Sequence, residues 1–330
     1  MPLCQTLTNR CWALLALVAL SLAIFVALSH QMQATSLSAV RAEFATLSLT
    51  GRRALVVGGT AGIGEGIALR LAQANVAVVV VGRDQTRGDA VIARLRSASS
   101  VADVKAQHRF VQLDASLIAE CRRFARSFAE PLDFLVMTQG IATMDGFQPT
   151  AEGFDRKLSL HYFSRATLAL ELAPKLSQSA DGRVLTVLSA GVHSPYAEYA
   201  TDFDLSKAFS LSKNANAAGF YNDVLAEKLH VEFPRLTVAH AAPGFVKTNW
   251  GWDLPWYLRG PTRLIQHFAT SIEDCGALLA PSLFRGAPMK GAWHLLSPKC
   301  ATVSKTSLHD SAKDEVWAKT KALIASVSDK

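Results

Sequence analysis

The sequence has few of the features that mark disulfide-rich, metal-binding or glycosylated proteins. Its five cysteines, an odd number, form no C-x-x-C pair and no cysteine–histidine spacing typical of zinc sites. We therefore expect neither structural disulfides nor a bound metal. No N-x-S/T sequon occurs, which is compatible with a domain that faces the cytosol. The cysteines are Cys4, Cys11, Cys121, Cys275 and Cys300.

Long runs of positive charge are also missing. The 34 Lys and Arg residues exceed the 27 Asp and Glu residues, and the net charge is +7. Because the cations are dispersed and not interleaved with aromatic residues, we interpret them as a solvated surface and expect no nucleic-acid partner. No internal repeat or low-complexity segment divides the 330 residues. One large domain with a short N-terminal appendage is the simplest organisation.

A strongly apolar run lies near the N-terminus. Residues 12–28, WALLALVALSLAIFVAL, carry no charge and just reach the length that spans a hydrocarbon core of roughly 30 Å. An uncleaved signal anchor, a cleaved signal peptide and a buried or interfacial helix all remain open. We predict a membrane anchor or signal segment over 1–32, a tether over 33–50, and a location at the endoplasmic reticulum or another endomembrane. Cleavage would instead send the protein through the secretory pathway.

The stretch LVVGGTAGIGEG, from Leu55 to Gly66, organises the rest of the chain. A short apolar strand leads into three glycines in the spacing G-x-x-x-G-x-G, and helical periodicity follows. The glycines permit a tight turn, a close approach of the backbone to a pyrophosphate, and packing of helix on strand. The helix N-terminus then directs unpaired N–H groups at the phosphates. The predicted cofactor contacts in this turn are Gly58, Thr60, Gly62, Ile63 and Gly64.

Beyond this stretch, apolar strands alternate with helices of about a dozen residues, which is typical of a parallel sheet covered on both faces. We predict an α/β fold over 51–330, with a doubly wound, seven-stranded parallel Rossmann sheet, preceded by the N-terminal hydrophobic helix. The right-handed crossover rule leaves few other topologies. The predicted strands are Ala54–Val57, Val76–Val81, Phe110–Leu113, Leu132–Thr138, Val184–Ser189, Thr237–Ala241 and Ala292–Leu296.

The end of the second strand bears on cofactor choice. A site for NAD commonly places an acidic residue there to bind the ribose hydroxyls, but this sequence has Gly82 and Arg83. A guanidinium suits a 2′-phosphate by its charge and planar fork, so NADP(H) is favoured over NAD(H). The alternative is that Arg83 is a surface cation beside Asp84. After the third strand, Asp114 either accepts from the adenine amino group or caps the next helix.

Three further segments resemble the short-chain dehydrogenase/reductase family, and the resemblance covers roughly residues 50–300. VMTQG at 136–140 stands where the family has N-N-A-G, and VLSAG at 187–191 resembles the strand with the active-site serine, here Ser189. PGFVKT at 243–248 matches a segment that in the family holds the nicotinamide amide and phosphates. The resemblance implies hydride exchange between NADP(H) and an alcohol or carbonyl. The further cofactor contacts that it implies are Gly140, Lys213, Pro243, Gly244, Val246 and Thr248.

The chain departs from the family at its Y-x-x-x-K pair. Lys213, in FSLSK, and Lys207, in FDLSK, each follow a phenylalanine by four residues. We prefer Lys213 because 214–221 continues as a helix with a packable face, which puts Phe209 at the expected tyrosine position on that helix. In the family, the tyrosine transfers the proton at the carbonyl, while the lysine lowers its pKa and holds the cofactor ribose. Phenylalanine has no proton to give.

Other side chains are candidates for the missing chemistry. His161 takes the place of an asparagine, and it either relays protons near neutrality or is packed and hydrogen-bonded. Ser189 either binds the substrate oxygen or caps the turn that follows it. His193, Tyr196 and Tyr199 lie in the irregular stretch after Ser189, and any of them could fold over the site and supply the acid.

The region 249–290 opens with the aromatic cluster NWGWDLPWYL. In the family the matching insertion forms a substrate lid, which implies a bulky apolar alcohol or ketone. Docking against a bilayer or a partner is the alternative, since Trp and Tyr favour membrane interfaces. We expect as partners a small lipophilic substrate, the membrane through the N-terminal segment, and a second copy in a homodimer. The sequence therefore predicts a membrane-associated oxidoreductase or, alternatively, a cofactor-binding sensor or scaffold without turnover.

Overall fold

The structure is a computed structural model that describes residues 37–40, 42–43, 46–247, 269–284 and 290–328. The predicted anchor and the aromatic cluster after Lys247 lie outside these ranges, as do seven of the 18 residues of the predicted tether. Within them, no helix is both long enough and apolar enough to cross a bilayer.

Seven parallel strands form one sheet in the order β3-β2-β1-β4-β5-β6-β7. The doubly wound fold predicted from the sequence is confirmed, and every predicted strand coincides with an observed one to within two residues at either end. The strands are β1 (Arg53–Val57), β2 (Ala77–Gly82), β3 (Arg109–Gln112), β4 (Phe134–Met137), β5 (Arg183–Val187), β6 (Thr237–Ala241) and β7 (Trp293–Leu296).

Side-chain alternation along the strands divides the core into two layers. In β1, Leu55 and Val57 belong to one buried cluster, while Ala54 and Val56 belong to the cluster on the other face. Helices cover both faces, so the central strands β1, β2 and β4 are almost wholly buried and apolar. The α-helices of six residues or more are α1 (Gly62–Gln73), α2 (Gln85–Ala98), α3 (Ala102–Gln107), α4 (Ile118–Ser127), α5 (Ser164–Leu176), α6 (Leu211–Glu232), α7 (Ile272–Leu279) and α8 (His309–Ser326).

Helix α7 packs against α1 rather than forming part of a lid. A Cβ on Gly276 would lie 2.5 Å from the Gly66 carbonyl oxygen, so two glycines let the helices meet at backbone distance. The structure describes 269–284 and Lys290 of the predicted lid. Within 269–284, helix α7 packs on the body of the domain through its contact with α1. The rest of the predicted lid, 249–268 and 285–289, lies outside the described residues.

The strand order places a crevice where the functional residues were predicted. β2 and β3 lie on one side of β1, and β4 to β7 lie on the other, so the chain reverses direction across the sheet between β1 and β4. In open parallel sheets, ligands bind outside the carboxyl ends of the strands at such a reversal.

Candidate active site

The glycine turn between β1 and α1 forms a cradle at this crevice. Gly58 and Gly62 have φ angles of +79° and +60°, values that favour glycine. A Cβ on Gly58 would lie 2.6 Å from the Gln139 amide nitrogen, and one on Gly64 would lie 2.5 Å from the Gly58 carbonyl oxygen. Ala61 precedes α1 without a side-chain cap, so within the described residues no side chain caps the amides of the first turn. This geometry fits a bound pyrophosphate.

A cavity of about 220 Å³ opens beside the cradle. Of the predicted cofactor contacts, Gly58, Thr60, Arg83 and Gly140 line it, and Arg83 is the only charged residue in the described lining. The other walls are mainly aliphatic and include Val81, Leu113 and Leu160. Apolar walls with a cation at one side fit the adenosine part of a nicotinamide dinucleotide, so the residues present suit the cofactor that the fold implies.

Asp114 lies outside that lining and closes a local turn. Its Oδ1 accepts from the Ser116 amide at 2.9 Å and from the Ser116 hydroxyl at 2.8 Å. The next helix, α4, is instead capped by Glu152, whose carboxylate accepts from the first two amides of the helix at 2.8 Å each. The capping role considered for Asp114 is therefore wrong, because a carboxylate from another loop takes it. Ile63 packs against the core cluster beneath α1.

A buried arginine ties the ends of β4 and β5 together. The Arg165 guanidinium donates to the carbonyl oxygens of Gln139 and Val187, at 2.7 and 2.9 Å, and to the Thr186 hydroxyl at 2.7 Å. Burial lowers the pKa of Arg165 to about 9. It holds the unusual segment after β4 in place. The sequence offered no signal for it, because Arg165 sits within a helical pattern.

His161 lies in a π-helical turn, Ser159–Phe163, that leads into α5. Its Nε2 accepts from the Ile141 amide at 3.2 Å, and its carbonyl accepts from Asn222 Nδ2 at 2.8 Å. Burial, aided by the charge of Arg165, lowers the pKa of His161 to about 3. The ring is therefore neutral near pH 7 and acts as an acceptor, as the packed alternative expected. A Cβ on Gly140 would lie 2.9 Å from Nε2, so this contact requires the glycine.

Ser189 follows β5, and two histidines hold its backbone. The Ser189 amide donates to His240 Nε2 at 3.1 Å, and its carbonyl accepts from His193 Nδ1 at 2.9 Å. Asp223 lies between the rings, with Oδ1 2.6 Å from His240 Nδ1 and Oδ2 3.1 Å from His193 Nε2. The Ser189 hydroxyl is buried and makes no hydrogen bond within the described structure.

This bridge places His193 beneath the serine turn instead of over the site. Burial opposes charge on the ring, but Asp223 outweighs it and raises the pKa of His193. Both imidazoles lower the pKa of Asp223 against the effect of burial, while burial lowers the pKa of His240. Asp223 and His240 were missed by sequence reasoning, because each is an isolated polar residue within an otherwise regular helix or strand.

Phe209 precedes the helix on which it was predicted. Helix α6 begins at Leu211, and the Ser210 hydroxyl caps it by accepting from the Lys213 amide at 3.1 Å. The Phe209 ring meets the edge of Phe147 at 5.8 Å between centroids. The side chain of Lys213 pairs with Glu198, with 3.1 Å between Nζ and Oε1. The placement of Phe209 on α6 is wrong because the serine cap starts the helix two residues later.

The aromatic residues of the loop before α6 turn into the core. Tyr196 is buried and its hydroxyl donates to the Asp202 carbonyl at 2.9 Å, while burial raises its pKa. Tyr199 packs against Phe220 with 6.4 Å between ring centroids. Phe203, the phenylalanine of the alternative register, stacks on Tyr221 at 4.8 Å. The hydroxyl of Tyr196 therefore donates within its own loop and does not face the site.

The segment after β6 is shaped by its backbone. Gly244 has a φ of +72°, and Val246 forms a bridge with Thr270, just before α7. The Pro243 carbonyl lies 3.9 Å from Cys275 Sγ, which belongs to α7. These predicted cofactor residues are held at the carboxyl end of the sheet. Thr248 lies outside the described residues.

Comparisons with known proteins agree with this geometry. The sequence matches the short chain dehydrogenase model over residues 52–255, more than half of the chain. It is 31% identical over 221 residues to oxidoreductase AN1596 of Emericella nidulans, covering 65% of this chain and 64%, less than two thirds, of that protein. It is 30% identical over 279 residues to polyprenol dehydrogenase of Mus musculus, covering 80% of this chain and 77% of that protein.

A solved structure supports the same fold. The short-chain dehydrogenase from Sphingobium yanoikuyae in complex with NADPH superimposes with a TM-score of 0.53 at 23% identity, covering 84% of this chain and 96% of that one. At this identity the likeness concerns the fold alone. Together with the family match, it shows that the chain belongs to the short-chain dehydrogenase/reductase family of NAD(P)-binding oxidoreductases.

Proposed function

We propose that the protein is an NADP(H)-dependent oxidoreductase that exchanges hydride between the cofactor and a lipophilic alcohol or carbonyl compound. The observation that carries the cofactor preference is the single cation in the described cavity lining, Arg83. The neighbouring carboxylate of Asp84 keeps its charge but is engaged at the start of α2, where Oδ1 accepts from the Arg87 amide at 2.9 Å. The guanidinium of Arg83 suits a 2′-phosphate by its charge and planar fork.

The bound dinucleotide would supply the hydride, and this chain would supply the contacts to the substrate oxygen. Ser189 suits that role, since its hydroxyl follows β5 at the carboxyl edge of the sheet and is not bonded to another described group. A hydroxyl that donates to the reacting oxygen stabilises the negative charge that develops there during reduction. Lys213 would hold the ribose after leaving Glu198.

Exposed apolar side chains support a lipophilic substrate. Met144, Val192 and Phe245 are 57%, 74% and 43% exposed, and they follow the carboxyl ends of β4, β5 and β6. Large apolar side chains exposed on the loops of one sheet edge would suit contact with an apolar substrate. The name of the related polyprenol dehydrogenase indicates a lipid alcohol for that protein.

Membrane association is the second part of the proposal. It depends on the apolar run at 12–28, which is long enough to span a bilayer at its lower limit. We expect the full-length protein to resist carbonate extraction and a variant without residues 1–32 to be released. A soluble full-length protein that begins near His30 would instead identify a cleaved signal.

Fluorescence titration with NADPH and NADH tests the cofactor assignment. Arg83→Ala should weaken NADPH binding about 10- to 100-fold, the effect of one charge-assisted hydrogen bond, and should leave NADH binding almost unchanged. Arg87→Ala is the matched control, since Arg87 is a neighbouring cation that pairs with Asp84 at 3.0 Å. Tighter binding of NADH in the parent, or no change in Arg83→Ala, would contradict the assignment.

A second candidate is a cofactor-binding sensor or scaffold without turnover. It is favoured by Phe209, which has no proton to give, and by the pairing of Lys213 with Glu198. Purified protein with NADPH and a panel of apolar ketones separates the two candidates. Substrate-dependent oxidation of NADPH supports the enzyme, whereas binding without turnover across the pH range supports the sensor.

A further inference from the structure

The buried bridge of His193, Asp223 and His240 makes hydrogen bonds with both the amide and the carbonyl of Ser189. It draws its three members from the loop after β5, from α6 and from β6, and all three side chains are at most 2% exposed. Three buried titratable groups are costly unless they are paired. Their contacts with both backbone polar groups of one residue therefore indicate a role in fixing that residue.

The hydrogen bonds assign the protons in the bridge. His240 Nε2 accepts from the Ser189 amide, so its proton is on Nδ1 and is donated to Asp223 at 2.6 Å. His193 Nδ1 faces the Ser189 carbonyl at 2.9 Å and must donate to it. The one variable proton is on His193 Nε2, which lies 3.1 Å from Asp223 Oδ2 but off the line of a good hydrogen bond. That contact is chiefly an attraction between charges.

Gly219 shows how closely the bridge and the serine are assembled. A Cβ at this position of α6 would lie 2.5 Å from the Ser189 hydroxyl oxygen and 2.6 Å from His193 Nδ1. The hydroxyl therefore sits in a space bounded by the helix backbone and the imidazole. Movement of the His193 ring would change the space available to the hydroxyl, because protein interiors are close-packed.

We infer that this bridge positions the Ser189 hydroxyl for the substrate oxygen, and that loss of the His193 Nε2 proton releases it. His193 and Asp223 are positioning residues here, since neither reaches beyond Ser189. The role of Ser189 comes from the proposed function, and the inference depends on it in that respect. The charged groups that face the bridge are Asp223 from α6, His240 from β6 and, acting on His240, Arg165 from α5.

The direction of the pH effect follows from the two ends of the bridge. Asp223 raises the pKa of His193, so the imidazolium persists above its ordinary range and is lost as pH rises through the raised value. Above that pH, a lone pair on Nε2 faces a carboxylate and the attraction is lost. Asp223 has a lowered pKa, so its charge is lost only in acid, as pH falls through the lowered value. Ser189 should be held most firmly between these limits.

The test is Asp223→Asn in the full-length protein, compared with Glu227→Gln. Asparagine keeps an oxygen for His240 Nδ1 but removes the charge beside His193. Glu227 lies one turn later on α6 and contacts another buried histidine, His309, at 2.7 Å, so its variant removes a comparable charge away from Ser189. The readouts are ¹⁵N NMR titration of the imidazoles, hydrogen exchange of the Ser189 amide and, where a substrate turns over, kcat and KM against pH.

Asp223→Asn should lower the His193 midpoint by about 1 to 3 pH units, since an opposite charge at this distance shifts a pKa by that amount. Exchange of the Ser189 amide should accelerate, and the alkaline fall in kcat should move to lower pH by the same interval with KM for NADPH unchanged. Glu227→Gln should match the parent in all three. If Asp223→Asn does not fold, His193→Gln is the variant to test. The fall in kcat at alkaline pH should be absent from it.

An unchanged His193 midpoint and unchanged Ser189 exchange in Asp223→Asn would overturn the inference, whether or not the protein turns over a substrate. A shifted midpoint with an unshifted kcat profile would also overturn it, because the bridge would then only stabilise the fold. If no substrate turns over in the parent, the proposed enzyme fails, while the NMR titration and amide exchange still decide whether the bridge holds Ser189.

Discussion

The cofactor half of the site keeps the sequence pattern of the family, whereas the substrate half departs from it. At the ends of β1 and β2, the glycine cradle and Arg83 follow the dinucleotide pattern, and neighbouring backbone segments touch at the glycines. At the ends of β5 and β6, Ser189 is retained, but a bridged pair of histidines surrounds it and Phe209 stands at the tyrosine position. The cofactor half is constrained by backbone distances that only glycine satisfies. The substrate half is constrained by side-chain chemistry, which several elements can supply.

The strongest way to break this contrast is to restore the missing proton donor. Phe209→Tyr should raise carbonyl reduction about 10²- to 10⁴-fold, the range for a positioned general acid. In the family register the phenol would act beside Ser189, and Lys213 would lower its pKa after leaving Glu198. The measurement is kcat/KM for NADPH-dependent reduction of an apolar ketone, in the parent and in the variant.

Phe203→Tyr is the matched control for Phe209→Tyr. Its ring is already stacked on Tyr221 in the core, so a hydroxyl there should give no gain in turnover. A gain only in Phe203→Tyr would show that Lys207, and not Lys213, is in the family register. If neither variant gains while NADPH still binds, the substrate half has diverged by more than one side chain.

The cofactor half should respond to a single methyl group. Gly64→Ala places a Cβ against the Thr138 hydroxyl and 2.5 Å from the Gly58 carbonyl oxygen, neither of which is a flexible chain end. Overpacking of this kind costs about 1 to 3 kcal/mol, so we expect NADPH binding to weaken roughly 10- to 100-fold in a titration.

Gly146→Ala is the control for Gly64→Ala, since a Cβ on Gly146 would meet no atom within 4 Å. It should bind NADPH as the parent does. Equal affinity in both variants would mean that the close approach at Gly64 is not needed for the cofactor.

The same contrast explains which parts of the molecule the sequence could predict. Buried parallel strands are continuous apolar runs, and the glycine turn has a fixed spacing, so β1 to β7 and the cradle were foreseeable from local pattern. Ser189 was found because a family motif surrounds it. The pairing of Asp223 with His193 and His240 joins residues 30 and 17 positions apart, on three elements. No local pattern encodes such a contact, and the capping of α4 by Glu152 was missed for the same reason.

The dependence of stability on pH tests the buried state of His161. His161 is buried with a pKa of about 3, so only the unfolded chain takes up its proton as pH falls below about 6.5. This effect should remove up to about 2 kcal/mol of stability between pH 7.5 and 5. His161→Gln has no such proton, so its Tm should fall less over this range. An equal fall in both proteins would assign the acid sensitivity to another buried group, such as His108, whose pKa burial lowers to about 4.

The smallest expected effect concerns Lys213, the residue shared by both halves. Its pair with Glu198 leaves the two side chains 35% and 45% exposed, and exposed pairs contribute less than about 1 kcal/mol. Glu198→Gln should therefore leave Tm nearly unchanged, while freeing Lys213 to reach the ribose and strengthening NADPH binding by at most about fivefold. Lys213→Met should weaken that binding. If Glu198→Gln weakens it instead, the pair serves to hold the loop before α6, and Lys213 belongs to the divergent half of the site rather than to the cofactor.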